Sequence, residues 1–151
     1  MIQKMLKYKS QIIFASLVVL SLALIRNYEE ILFYDPFLSF FAGEFTNNPY
    51  PEVVEWKLYL NLFLRYTINS FLSIVLLNVV FKNSEFLKLA TFLYILFFVV
   101  LISLFIIFLH YFTDRLMALF YIRRFIIQPL FLLLFIPGFY FQQQDLKKQK
   151  T

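Results

Sequence analysis

The stretch LATFLYILFFVVLISLFIIFLHY, residues 89–111, decides the fold class of this chain. It contains no Asp, Glu, Lys or Arg, and Thr91 and Ser103 are its only small polar residues. A helix rises about 1.5 Å per residue, so these 23 residues would extend about 35 Å, enough to cross a hydrocarbon core of about 30 Å. The stretch therefore predicts a membrane-spanning helix.

The composition of the whole chain agrees with a lipid environment. Hydrophobic residues make up 62% of the 151 residues, whereas soluble domains average about 45–50%. The chain has 22 Phe but only 2 Gly, so aromatic side chains rather than close glycine contacts are expected to pack its helices. It has no Cys and one His, which excludes disulfides, a cysteine nucleophile and a multi-histidine metal site within one chain.

The first apolar run follows a lysine-rich leader, residues 1–11. Residues 8–25 would form a helix of about 27 Å, the length of a thin membrane span. A basic start before an apolar run also fits a cleaved signal peptide, but the small residues of Ser21-Leu22-Ala23 lie inside the run and not behind it. We therefore expect this run to be retained as a membrane anchor.

A further apolar stretch, residues 56–81, carries a polar face. Four of its polar residues follow one another at intervals of four, which places them along one side of a helix. They are Asn61, Arg65, Asn69 and Ser73. A polar face on an apolar helix is expected to contact protein or water rather than lipid.

The last apolar stretch, residues 116–141, is interrupted by Arg123, Arg124 and Pro129. A single straight span would bury both arginines in lipid, at about 2.5–3.5 kcal/mol or more for each. The sequence therefore predicts an interfacial helix over residues 114–124 and then a span with Pro129 as an early kink. The predicted fold is one all-α integral membrane domain, residues 1–151, with four transmembrane helices at about 8–25, 56–81, 89–111 and 125–141.

The charges of the connecting segments predict an orientation. The leader, the connector 82–88 and the C-terminal tail would share one side, with eight lysines and two acids. The opposite side would hold three basic and seven acidic residues. Because basic loops stay in the cytoplasm, both termini are expected to be cytoplasmic.

The first loop, residues 26–55, would then lie on the outer side and form an interfacial loop rich in acids and aromatics. It holds six acids and a single basic residue, Arg26, if Trp56 begins the next span. The residues after Asp35-Pro36 predict a short amphipathic stretch in the headgroup region. They are Phe37, Leu38, Phe40 and Phe41. Residues 47–51, NNPYP, predict a turn, and the loop as a whole is either a simple connector or a docking surface.

Arg65 would lie about 13 Å along its helix from Trp56, where an unpaired guanidinium is costly. Snorkelling to lipid phosphate would relieve part of that cost, for Arg65 and for the Arg123-Arg124 pair alike. The other interpretation is a polar cluster of Arg65, Asn69, Arg124 and Gln128, approached by Glu29, Glu30 or Asp35. The candidate interaction residues are therefore Glu29, Tyr34, Asp35, Pro36, Arg65, Asn69, Arg123, Arg124 and Gln128.

No catalytic motif stands out in the sequence. It contains no HExxH, no Ser-x-x-Lys at a membrane edge and no phosphate-binding glycine loop, so we expect a non-enzymatic protein without a cofactor and without nucleic-acid binding. Two alternatives stay open. The polar face of residues 56–81 could line the path of a small transporter or channel subunit. Arg65 and Arg124 could instead hold the phosphate of a lipid headgroup, with Asp35 or Glu29 as the base of a lipid-modifying enzyme.

Four segments, taken together, resemble the exosortase F system-associated membrane proteins, small proteins encoded beside an exosortase in bacteria. The segments are Arg26-x-Tyr28-Glu29 with Leu32-Phe33-Tyr34-Asp35-Pro36-Phe37-Leu38, Leu64-Arg65-Tyr66 with Asn69, Phe120-Tyr121-x-Arg123-Arg124-Phe125-x-Ile127-Gln128-Pro129, and Pro137-Gly138-Phe139-Tyr140. The resemblance runs from about residue 20 to 142. It implies an accessory role in protein sorting at the outer side of the bacterial inner membrane, beside a membrane enzyme of exosortase type. That enzyme relies on a cysteine, which this chain lacks.

Overall fold

The computed structural model describes residues 2–44 and 48–150, except the side chains of Lys4, Met5 and Lys7. This part of the chain is helical and contains no strand, which confirms the all-α prediction there. The predicted turn at residues 47–51 lies partly outside it. The helices are α1 (Ile2–Asn27), α2 (Glu29–Leu32), α3 (Pro36–Ala42), α4 (Glu55–Phe81), α5 (Ser84–Tyr111), α6 (Leu116–Ile127) and α7 (Leu130–Gln149).

Three helical segments are long and apolar enough to cross a membrane: Tyr8–Asn27 within α1, and the whole of α4 and α5. They contain the predicted spans 8–25, 56–81 and 89–111. The bent pair α6–α7 passes the same test when it is counted as one span, which gives up to four. These apolar helices are compatible with a multi-pass membrane protein.

The connector between α4 and α5 is shorter than the predicted residues 82–88. Lys82 ends α4 in the left-handed conformation, with φ 50°, and Asn83 begins α5 by accepting a hydrogen bond from the Glu85 N–H at 2.9 Å. A side-chain oxygen at this position satisfies one of the free N–H groups of the first helical turn. Residues 84–88 are therefore helical.

The predicted boundary between residues 124 and 125 is wrong. Helix α6 continues to Ile127, and the chain bends by 60° between α6 and α7 at Gln128-Pro129. Proline has no N–H to donate and disfavours helical geometry in the residue before it, and Gln128 is accordingly extended, with φ −107° and ψ 142°. Pro129 thus separates two helices instead of kinking one.

Helix α4 is the centre of the molecule, and α1, α5, α6 and α7 all pack against it. Aromatic rings fill much of the space between the helices. Phe97 stacks on Phe131 with ring centroids 4.3 Å apart, and Phe86 stacks on Phe139 at 4.9 Å. Large flat rings therefore make the contacts that small residues make in many membrane proteins.

The residues after Asp35-Pro36, predicted to be an amphipathic stretch in the headgroup region, pack against other helices of the protein. Phe37 is completely buried, and its ring meets Phe105 of α5 edge-on at 6.3 Å. Phe41 contacts Phe120 of α6 at 5.2 Å. An apolar stripe can bury itself against protein as well as against lipid, and here α3 folds down onto α5 and α6.

Replacing Phe37 by Ala should lower the free energy of unfolding by about 3–5 kcal/mol, because the substitution leaves a cavity under α3. The matched control is Phe92→Ala on α5, where the ring is 62% exposed. Unfolding of the purified protein in detergent micelles measures both. Equal changes for the two variants would contradict the packing described for α3.

Candidate functional site

The segment before α3 is fixed over α4 by hydrogen bonds of its backbone and side chains. The Tyr34 N–H donates to Asn61 Oδ1 at 3.1 Å. Asp35 precedes α3, and its Oδ1 accepts from the Phe37 N–H at 3.2 Å, while Pro36 occupies the first turn of the helix. Pro at the first helical position is favourable because its fixed φ suits a helix and its missing N–H is not needed there. The second oxygen of Asp35 is thereby directed towards α4 and α6.

Arg65 of α4 joins this segment through two carboxylates. Its Nη1 donates to Asp35 Oδ2 at 2.9 Å, and its Nη2 forms a salt bridge with Glu29 Oε2. The guanidinium also lies 5.2 Å from the centre of the Phe33 ring, a cation–π distance. Arg65 therefore holds both α2 and the start of α3 against α4.

Arg123 of α6 binds the same aspartate from the other side. Its Nε donates to both Asp35 oxygens, at 3.2 and 3.0 Å, and its Nη2 pairs with Oδ2. The planar guanidinium fork suits such two-point binding of a carboxylate. Glu29, Asp35, Arg65 and Arg123 are called the ion-pair cluster below.

The ion-pair cluster is shielded from solvent. The side chains of Asp35, Arg65 and Arg123 are 2–4% exposed, and Glu29 is 17% exposed. Its two carboxylates formally balance its two guanidinium groups. Buried charges are tolerable only when they are paired and hydrogen-bonded, and removing one partner leaves the other uncompensated. The ion-pair cluster thus holds α2, α3, α4 and α6 together. Loss of any one of its four side chains should be strongly destabilising.

The structure places the other predicted residues around this cluster. Asn69 donates to the backbone carbonyl of Ile127 at 2.8 Å and so satisfies a carbonyl at the end of α6, just before the break at Pro129. Arg124 is exposed and donates to Gln128 Oε1 at 3.1 Å, so Arg123 and not Arg124 belongs to the cluster. Glu30 is exposed and lies outside it.

The polar face of α4 contacts protein. Asn61, Arg65, Asn69 and Ser73 all take part in intramolecular hydrogen bonds, and the last three are buried. His110 lies apart from this face and is exposed. It stands 3.7 Å from a carboxylate oxygen of Glu55 and 3.3 Å from the Tyr59 hydroxyl.

Two residues beside the cluster were missing from the sequence-based set. Phe33 supplies the ring over Arg65, and Arg26 lines a groove that reaches Arg65 and Glu29. The isolation of Arg26 as the single basic residue among the acids of the first loop is a signal that could have identified it. No sequence signal distinguishes Phe33 from its aromatic neighbours, because its role depends on how α2 turns over α4.

Within residues 2–44 and 48–150, no three His, Cys, Asp or Glu side chains are grouped so that they could hold a metal ion. Comparisons with protein-family models, with curated proteins and with solved structures found no match to this chain.

The adjacent residues Arg123 and Arg124 should respond very differently to the same substitution. Arg123→Gln removes one of the charges balancing Glu29 and Asp35 and should lower the free energy of unfolding by about 3–5 kcal/mol. Arg124→Gln changes an exposed side chain and should stay within about 0.5 kcal/mol of the unsubstituted protein. Chemical unfolding in detergent compares them, and similar losses for both would refute the assignment of Arg123 to the cluster.

Proposed function

We propose that the protein is a non-enzymatic accessory subunit of a membrane-embedded protein-sorting system of exosortase type, in the inner membrane of a bacterium. The proposal is supported by the position of the segments that resemble the family, because they meet in the ion-pair cluster. Three of the four segments that resemble the exosortase-associated family contribute the residues of the ion-pair cluster. Glu29 and Asp35 come from the first segment, Arg65 from the second and Arg123 from the third. The residues behind the resemblance therefore act together in holding α2 and α3 in place.

The bonding of Asp35 favours a scaffold over a lipid-modifying enzyme. A general base must be able to take a proton from its substrate. Both oxygens of Asp35 accept hydrogen bonds from Arg123, one also from Arg65, and the other from the backbone of Phe37. Such a carboxylate is well suited to organising backbone and helices. Likewise, the internal hydrogen bonds along the α4 polar face favour a structural role over a path for solutes.

The segment held by the cluster exposes an apolar surface. Its residues, called the α2 surface, are Tyr28, Ile31, Leu32 and Tyr34. Ile31 is 82% exposed and Leu32 is 55% exposed. A cavity of about 580 Å³ adjoins this surface, and it is lined by residues 30–36, Leu38 and Ser39. Aromatic and aliphatic residues held rigidly at a surface are typical of protein–protein contacts, so we assign the partner enzyme or its substrate tail to this surface.

The first test is affinity purification of the tagged protein, in mild detergent, from the cells that make it. A membrane enzyme of exosortase type should co-purify. Ile31→Gln should remove it, because the substitution changes the α2 surface and leaves the ion-pair cluster intact. The matched control is Ile2→Gln, which alters an equally exposed isoleucine in α1 and should retain the partner. A protein that is purified alone, or only with further copies of itself, would overturn the proposal.

The proposed orientation places both termini in the cytoplasm and the α2 surface outside it. The natural chain has no Cys, so single cysteines report position directly. Glu52→Cys, between α3 and α4, should react with a membrane-impermeant maleimide applied to the outer face of the inner membrane. Lys150→Cys should react only after the membrane is permeabilised. The reverse pattern would require the opposite orientation.

A further inference from the structure

A groove lies between α1 on one side and α6 and α7 on the other, with α4 as its floor. Its volume is about 560 Å³, within the roughly 300–1,000 Å³ of small-molecule pockets. The flanking helices all pack on α4, and the groove is the space that they leave between them. It reaches the ion-pair cluster at one end, where Glu29 and Arg65 line it.

The groove changes from polar to apolar along its length. Its polar and charged residues lie at the cluster end and come from α1, α2, α4, α6 and the residue that follows α6: Arg26, Glu29, Arg65, Asn69, Arg124 and Gln128. At the other end the wall is aliphatic, with Val19 of α1, Leu76 of α4 and Ile136 of α7. From Arg65 to Leu76 the helix advances about 16 Å, roughly half of a hydrocarbon core of about 30 Å. The groove thus has the length of one membrane leaflet.

The polar end carries an excess of positive charge. The two arginines of the ion-pair cluster are matched by its two carboxylates. Arg26 and Arg124 also line the groove, are exposed, and make no ion pair within residues 2–44 and 48–150. Arg124 donates through Nε to Gln128. Guanidinium groups of this kind bind phosphate oxygens well, since the planar fork matches the anion.

We propose that this groove binds one anionic phospholipid. Arg26 and Arg124 hold the phosphate, and an acyl chain lies along α4 between α1 and α7. The change from polar to aliphatic lining and the two guanidinium groups without an ion pair in the described part of the chain favour a phospholipid over an apolar transmembrane helix of a partner. This lipid site is independent of the proposed partner surface, which lies on α2.

Native mass spectrometry of the purified, delipidated full-length protein tests the site. The probes are phosphatidylglycerol and phosphatidylcholine with identical acyl chains, added singly in a mild detergent. Phosphatidylglycerol should form a one-to-one adduct and bind at least about tenfold more tightly, because phosphatidylcholine carries a quaternary ammonium that offsets the charge of its phosphate beside Arg26 and Arg124. Equal binding of the two lipids would overturn the proposal, and so would a protein dimer that excludes lipid.

Two sets of variants locate the adduct. Arg26→Gln combined with Arg124→Gln should abolish the preference for phosphatidylglycerol, whereas Arg115→Gln, an exposed arginine outside the groove, should keep it. Ala23→Trp fills the groove from α1 and should reduce binding of phosphatidylglycerol about tenfold, while Val99→Trp on the exposed face of α5 should not. Unchanged binding in Ala23→Trp overturns the site even if the double arginine variant does not fold.

Discussion

The carboxylate of Asp35, held between the guanidinium groups of Arg65 and Arg123, is the interaction on which the arrangement of this protein depends. Its oxygens accept hydrogen bonds from α4, from α6 and from the first turn of α3. Inside a membrane, lipid chains are as apolar as leucine, so hydrophobicity alone does not drive one helix against another. The buried ion pairs of Asp35 supply a constraint that hydrophobicity does not, because separating α4 from α6 would leave charged side chains unpaired in apolar surroundings.

The cluster and the aromatic core act on the same short segment. Asp35 carries the ion pairs, and two residues later Phe37 carries the packing against α5. The ion pairs of Asp35 hold the start of α3 against α4 and α6. The buried ring of Phe37 holds the same helix against α5. The exposed residues of α2 therefore stand on a segment that is held at two points, and a surface held in this way loses little conformational entropy when it binds a partner.

The sequence predicted the features that depend on the chemistry of one residue or on one continuous apolar run. Continuous apolar runs located α1, α4 and α5, and the cost of a buried Arg65 predicted either snorkelling to lipid phosphate or a polar cluster approached by an acid of the first loop. The cluster expected from the sequence contained Arg124, whereas the structure has Arg123 in that place. Neighbouring residues on a helix diverge by about 100°, so the choice depends on the rotation of α6. Helix α6 also ends at Ile127, three residues later than expected. The burial of Phe37 was missed because an amphipathic stripe is the same for lipid and for protein.

Glu29 links the cluster to the groove and explains why they lie together. It is the most exposed cluster member, and it lines the polar end of the groove near Arg26 and Arg124. An isolated carboxylate there would repel a lipid phosphate, but the salt bridge to Arg65 offsets the charge of Glu29. The positive charges of Arg26 and Arg124 then remain without a matching carboxylate among the described residues. The same pair that fastens α2 to α4 therefore keeps the groove positive. The position of α2 and the net charge at this end of the bundle rest on one contact, and a phosphate bound beside it would in turn hold α1 and α6 close to α4.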